Sequence, residues 1–391
     1  MMIEHPLYKK VTQTFRARFL RDPEVIVRAP GRVNLIGEHT DYNDGFVLPI
    51  AVDRAAWVAS ASCREPQATL RAIDMKNDEV VFPVNQVPTS SGGWSDYPAG
   101  IVWAFLNRGL RPFGLEAALS SDVPVGAGMS SSAAVEVAFA LTWSVFSGFG
   151  LAMEDLALLA QRAENEYVGV SCGIMDQMIS ACGKAGHAML LDTRSLERSY
   201  IPMPEGITVV VADSQVRRSL SGSEYNARRS QCEEAVRLLR TAGLPEIRAL
   251  RDVTPVELAR YGAALPEVIL RRARHVVSEN ARVHQVVAAL QEGDLESVGA
   301  LLLEGHRSLR DDYEISIPEI DALVAAAMEV PGCYGARLTG GGFGGCIIAL
   351  ADTGAVAAIE AHLKQTYRTQ FGKEPGVYAV HPAEGASYEL L

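Results

Sequence analysis

The chain has 391 residues, with 36 Lys and Arg against 47 Asp and Glu, for a net charge of −11. That length suggests two or three domains. A composition 48% hydrophobic and 21% charged excludes a disordered chain, because there is enough apolar material to offset the entropy of ordering. The acidic balance excludes a general nucleic-acid binder, though not a local pocket for a small anion. No apolar run approaches the ~20 residues that cross a bilayer.

The first 25 residues mix acids, bases and aromatics and contain no apolar stretch before a small-residue cleavage site, so a folded, cytoplasmic start is expected. Short β-prone runs follow at Val25–Arg28, Ala56–Ser60 and Ala68–Ile73, with a weaker one at Leu115–Ser120. Apolar residues at helical spacing predict helices over Ala133–Phe146 and Met153–Tyr167. His187–Asp192 and Ile207–Asp213 read as buried strands, and Glu224–Met328 as mostly helical. Strands return at Ala336–Thr339 and Cys346–Leu350, then a helix at Ala355–Tyr367 and a strand at Val377–Val380. The pattern predicts an α+β chain of two domains, divided within the polar stretch Thr193–Pro204 into residues 1–198 and 199–391. The cysteines at 63, 172, 182, 232, 333 and 346 form no CxxC, so free thiols are expected and neither a zinc site nor a disulfide framework is indicated.

Three loops carry chemistry. The first, Arg28 to Gly45, gathers Arg32, Asn34, Glu38, His39, Asp41 and Asn43 among turn residues, with Val33, Leu35 and Ile36 tying it to a core. A Ca²⁺ loop is excluded, since Gly45 falls one position early and Val52 stands where a bidentate Glu belongs. Carboxylates, an imidazole and an amide together suit a polyhydroxylated ligand; a structural turn is the other reading. The second loop, Pro124 to Val137, runs from glycines straight into a helix with a serine at the expected N-cap. Glycines admit a phosphate close to the backbone, and the helix N-terminus binds it; simple capping is the plainer alternative. The third, Leu338 to Cys346, formally matches GxGxxG, but a strand pattern follows it and a dinucleotide fold needs a helix there. A glycine-rich hairpin beside a ligand fits better. Glu164, on the helix after the second loop, and Asp176, among small and apolar neighbours, are the remaining candidate acids.

Taken together, these loops resemble the GHMP small-molecule kinases and, within them, the galactokinase family. Gly31–Tyr42 is similar to that family's sugar signature, and the serine loop to the superfamily's phosphate-binding motif. Leu338–Cys346 is similar to the third motif. Cys172–Gln177, Glu224–Cys232 and His275–Val283 fill the spaces between them. The resemblance implies a two-domain kinase with its active site in the cleft, moving the γ-phosphoryl of ATP to the C1 hydroxyl of α-D-galactose. It implies catalytic roles for Asp176 and Arg32, and sugar contacts from Glu38, His39, Asp41, Gly173, Asp176 and Tyr225. ATP phosphates would lie along Gly126, Ala127, Gly128, Met129, Ser130, Ser131 and Ser132, with the adenine beside Trp94. Mg²⁺ would be held by Ser132 and Glu164. The expected partners are small molecules, not nucleic acid or membrane, with the chain a monomer or weak homo-oligomer. Two rivals remain: a kinase for N-acetylgalactosamine or a galacturonate-like acid, and a non-catalytic sensor of galactose and ATP. Such sensors lose a Ser-Ala pair in the serine loop, whereas this chain keeps Ser130-Ser-Ser-Ala-Ala134.

Overall fold

The computed structural model describes residues 4–217 and 223–391. Helix α1 (Pro6–Phe19) leads to β1 (Val25–Asn34), the short β2 (Phe46–Val47) and the long β3 (Pro49–Cys63). The hairpin β4 (Gln67–Ala72) and β5 (Asp78–Pro83), α2 (Asp96–Asn107) and β6 (Gly114–Ser121) come next. Helices α3 (Ser131–Ser147), α4 (Met153–Arg162) and α5 (Met175–Cys182) precede β7 (His187–Asp192), β8 (Arg198–Pro202) and β9 (Ile207–Asp213). The helical run is α6 (Ser223–Ala242), α7 (Pro255–Tyr261), α8 (Glu267–Glu292), α9 (Leu295–Asp311) and α10 (Pro318–Met328). Last come β10 (Cys333–Thr339), β11 (Cys346–Asp352), α11 (Val356–Phe371), β12 (Gly376–Val380) and β13 (Ser387–Leu390).

The strands form a six-stranded sheet in the order β13-β1-β3-β6-β4-β5, a four-stranded sheet β10-β11-β9-β12 and a small sheet β2-β7-β8. Alternation along β1 and β3 sorts the first sheet's side chains onto two faces. Val25, Val27, Ala56 and Val58 join the large core with the helices after β6, while Ile26, Ala55, Trp57 and Ala59 pack beneath α1. That helix buries Tyr8, Val11, Thr12 and Phe15, one stripe of a 3.6-residue repeat. Each such apolar side chain contributes roughly 1.5–3 kcal/mol when fully buried. A second core joins β9–β11 to Ala235, Leu239, Val276, Leu309, Leu323 and Leu363.

Several sequence expectations shift. The first loop is strand as far as Asn34, because Arg28 to Asn34 pair with β3 through a bulge between Pro30 and Arg32. The expected helix Met153–Tyr167 stops at Arg162 and widens into a π turn, Ala163–Val168, so Glu164 lies in a π turn and not on an α-helix. The third loop is the expected hairpin, with Thr339 opposite Cys346. A cut at 198/199 would fall at the first residue of β8, which pairs with β7. Sheet pairing changes between Pro202 and Ile207, and β13 returns to pair with β1.

Candidate active site

The bulge in β1 re-aims Arg32 toward the serine loop, and Gly31 beside it has no room for a side chain: a Cβ there would lie 2.8 Å from the Met129 carbonyl oxygen. Arg32 donates from Nε and Nη2 to Asp176 Oδ1 and Oδ2, each at 2.7 Å, in the planar bidentate fork that a lysine cannot make. Its Nη1 donates to the Gly128 carbonyl, and its backbone N–H to Met129 O at 3.1 Å. Asp176 stands in the first turn of α5, and its side chain is 26% exposed against 6% for Arg32, so the carboxylate faces open space while its partner is covered.

The serine loop departs from simple capping. Ser130 precedes α3 with φ 56°, and its hydroxyl makes no cap hydrogen bond; it donates to Asp176 Oδ2. The first N–H groups of a 17-residue helix therefore lack a side-chain cap, the arrangement that receives an anion. Gly126 and Gly128 take φ of +70° and +82°, which no β-carbon favours. The third motif backs this loop: a Cβ on Gly340 would lie 3.3 Å from Gly128 O. Arg217, which the sequence reading did not single out, lies against Gly126 and pairs with Asp213 at 2.7 Å. Trp94 is half-buried just before α2 and donates its indole N–H to Asp78 at 2.8 Å.

The remaining signature residues divide. Asp41 lies so close to Gly173 that a Cβ there would meet Asp41 Oδ2 at 1.9 Å, which is why a glycine stands at 173. Burial, and then the charge of Asp176, push Asp41 up to about 6. His39, with φ 63°, bonds through Nδ1 to the Tyr42 hydroxyl at 2.7 Å, and its ring lies 5.3 Å from that of Tyr225. Asp41, Gly173, His39, Tyr225 and Asp176 are thus brought together. Glu38 is 1% exposed, pairs with Arg337 and lies within electrostatic reach of Arg32.

Behind the serine loop, Ser132 lies beside Glu164 and opposes the rise in its pKa. Gln177 Nε2 donates to Glu164 Oε2 at 2.6 Å and to Glu136 Oε2 at 3.2 Å, and the Cys172 thiol donates to Glu164 at 3.3 Å. Glu136 is fully buried on α3. Burial and the charge of Glu164 push it well above the carboxylate range, while burial and Asp176 raise Glu164. A hydroxyl and an under-compensated carboxylate are hard oxygen donors that fit Mg²⁺. Among the described residues no three His, Cys, Asp or Glu side chains converge as a complete metal cage, so such a cation would depend on nucleotide oxygens for its other positions. Glu136 was detectable as an acid inside the apolar run Ala-Ala-Val-Glu-Val.

Comparison with known proteins agrees with this arrangement. The galactokinase galactose-binding signature matches residues 13–62, the GHMP kinase N-terminal domain 96–184 and the C-terminal domain 286–369. The galactokinase of Roseiflexus sp. (strain RS-1) is 47% identical over 376 residues, 96% of each chain. That of Chloroflexus aggregans is 49% identical over 361 residues, 92% of each chain. The structure of Lactococcus lactis galactokinase complexed with galactose superposes with a TM-score of 0.94 at 30% identity, covering 97% of this chain and 99% of that one. Methanococcus jannaschii mevalonate kinase, at 18% identity and a TM-score of 0.65 over 93% of this chain and all of that one, shares the fold. With these matches spanning nearly its whole length, the chain belongs to the galactokinase family of the GHMP kinases.

Proposed function

We propose that the chain phosphorylates α-D-galactose at the C1 hydroxyl, using ATP and giving α-D-galactose 1-phosphate and ADP. The observation that carries this reading is the Arg32–Asp176 fork, partly exposed at Asp176 and joined through Ser130 to an uncapped helix N-terminus. Phosphoryl transfer leaves little covalent work to a protein; positioning and charge stabilisation dominate. Gly126 to Ser132 bind the ATP phosphates, with adenine on the Trp94 side. Glu38, His39, Asp41, Gly173 and Tyr225 bind the sugar. The C1 oxygen bonds to the γ-phosphorus as the β–γ bridge breaks, and Asp176 orients the hydroxyl and accepts its proton. Arg32 fixes the Asp176 carboxylate and stabilises charge developing on the phosphoryl group. Mg²⁺, when held by Ser132 and Glu164, neutralises phosphate charge.

The retained Ser130–Ala134 run supports an enzyme over a sensor. No helix among the described residues is long and apolar enough to cross a membrane, and all six cysteines are free, which supports a reducing, cytoplasmic setting. The test is ADP release over a panel of hexoses. Galactose and 2-deoxygalactose should turn over, with kcat/KM for glucose at least about 100-fold lower, because a misplaced hydroxyl leaves buried polar groups unpaired. A preference for N-acetylgalactosamine or galacturonate would reassign the substrate, and binding without ADP release would make the chain a sensor.

A further inference from the structure

A line of four polar groups runs from the sugar-facing wall into the C-terminal core. His39 Nδ1 meets the Tyr42 hydroxyl at 2.7 Å, Tyr42 meets the Tyr313 hydroxyl at 2.7 Å, and Tyr313 meets Cys232 Sγ at 3.2 Å. Tyr313 is fully buried, and Cys232 is 1% exposed. The two ends belong to different parts of the chain. His39 and Tyr42 lie just after β1, Cys232 is on α6 and Tyr313 follows α9.

Tyr313 is itself fixed from several sides. Its carbonyl accepts from Arg228 Nε at 2.7 Å, its N–H donates to Ser308 O at 2.9 Å, and its ring lies 4.8 Å from His39 and 4.5 Å from His275. His275 also meets the Glu38 carbonyl through Nε2 at 3.1 Å, so one aromatic cluster grips two adjacent residues of the signature turn. The backbone of His39 alone would not set its imidazole: φ 63° is a sparsely populated region for a residue with a β-carbon, and the ring still rotates about its own bonds. A hydrogen bond to one ring nitrogen is what fixes a histidine's plane and decides which face and which nitrogen it presents.

We propose that Tyr313, backed by Cys232, is a positioning residue for galactose recognition that acts through Tyr42 to orient the His39 imidazole. This rests on the reading of His39 as part of the sugar site. A wall built from the signature turn thereby takes its alignment from the C-terminal core. Neither tyrosine hydroxyl need touch the sugar. Truncating either one breaks the same line, so the two truncations are not independent.

The experiment is a cycle of Tyr42→Phe, Tyr313→Phe and the double variant, with KM measured separately for galactose and for ATP. Both substitutions keep the rings, so the aromatic packing survives. Each single variant should raise the galactose KM by about three- to ten-fold, the usual range for one lost hydrogen bond, with the ATP KM unchanged within two-fold. The double variant should be no worse than the poorer single variant. Multiplying effects, or equal losses for galactose and ATP, would overturn the relay and leave Tyr313 a packing residue. His39→Ala is the control for the underlying site. If it leaves the galactose KM unchanged, both the sugar-site reading and the relay fall. If it raises that KM while Tyr313→Phe does not, the relay alone falls.

Discussion

Two buried acid clusters adjoin the Arg32–Asp176 pair, and they are built on opposite principles. In one, Glu38 and Glu279 face Arg337, and Glu279 also accepts from Arg282 Nε at 2.8 Å, so two guanidinium groups answer two carboxyls. In the other, Glu136 and Glu164 share the Gln177 amide and Glu164 also takes the Cys172 thiol, with no cation among their hydrogen-bond partners in the described residues. Low dielectric makes the difference consequential. The first cluster sets cations against its carboxyls. Although burial opposes it, Arg337 and Arg282 hold Glu279 below the usual carboxylate range, and Glu279 accepts the Gly37 N–H at 3.0 Å, fixing the signature turn. The second keeps beside the serine loop two carboxyls of raised pKa, whose ionised form an incoming divalent cation would favour. Burial is common to both clusters; the count of compensating charges separates them.

The comparison breaks most visibly at Arg337. Arg337→Met strands the buried Glu38 carboxyl, leaves Glu279 with Arg282 alone, and should cost about 3–5 kcal/mol of stability, read from urea unfolding. A loss under 1 kcal/mol would show that the first cluster does not hold the fold. Glu164→Ala should behave oppositely. It removes a carboxylate that has no cation partner, so the fold should survive, while the Mg²⁺ concentration giving half-maximal activity should rise at least about ten-fold. Galactose affinity should change little. Wild-type Mg²⁺ dependence in that variant would move the metal site elsewhere.

A pH titration sharpens the contrast. Burial raises Glu38 from 4.5 to about 7, with Arg337 offsetting only part of the shift. Between those values the native state holds more protons than the unfolded one, so stability falls as pH rises through about 5 to 7. The slope attributable to this one group is at most ~1.4 kcal/mol per pH unit, and Glu38→Gln should flatten it. An unchanged slope would assign the dependence to other groups. The smallest effect is expected for Glu136→Gln. An amide of the same shape replaces a group whose ionised form is disfavoured, so stability at pH 7 should move by less than about 1 kcal/mol or rise. A large loss would mean that the second cluster is structural.

The site was more legible in the sequence than the frame around it. Loops announce themselves because glycines, serines and charges concentrate there, and the structure brings the serine loop, the turn after β1 and Asp176 close to one another. What escaped notice was chemistry placed inside regular elements. Arg337 sits between Ala336 and Leu338 in a strand, and Glu136 between Val135 and Val137 in a helix, each masked by the apolar pattern of its neighbours. Tyr313 and Gln177 are ordinary core-compatible residues until the fold brings a partner to them. Among the elements, α2 was missed because nearly all its faces are apolar, and β13 because four residues pairing only with β1 carry little periodicity. The polar stretch Thr193–Pro204 contains β8, which carries little periodicity and is a strand through its pairing with β7.

The most direct test of the account is the position of the new phosphate. Incubating the protein with Mg·ATP and D-galactose carbon-13-labelled at C1, and following phosphorus–carbon coupling by NMR, reports which hydroxyl lies at Asp176. The account predicts α-D-galactose 1-phosphate, with coupling to C1, formed by the wild-type chain and reduced about 100-fold or more in rate in Asp176→Asn. Phosphate on C6, or undiminished C1 phosphorylation in Asp176→Asn, would contradict it.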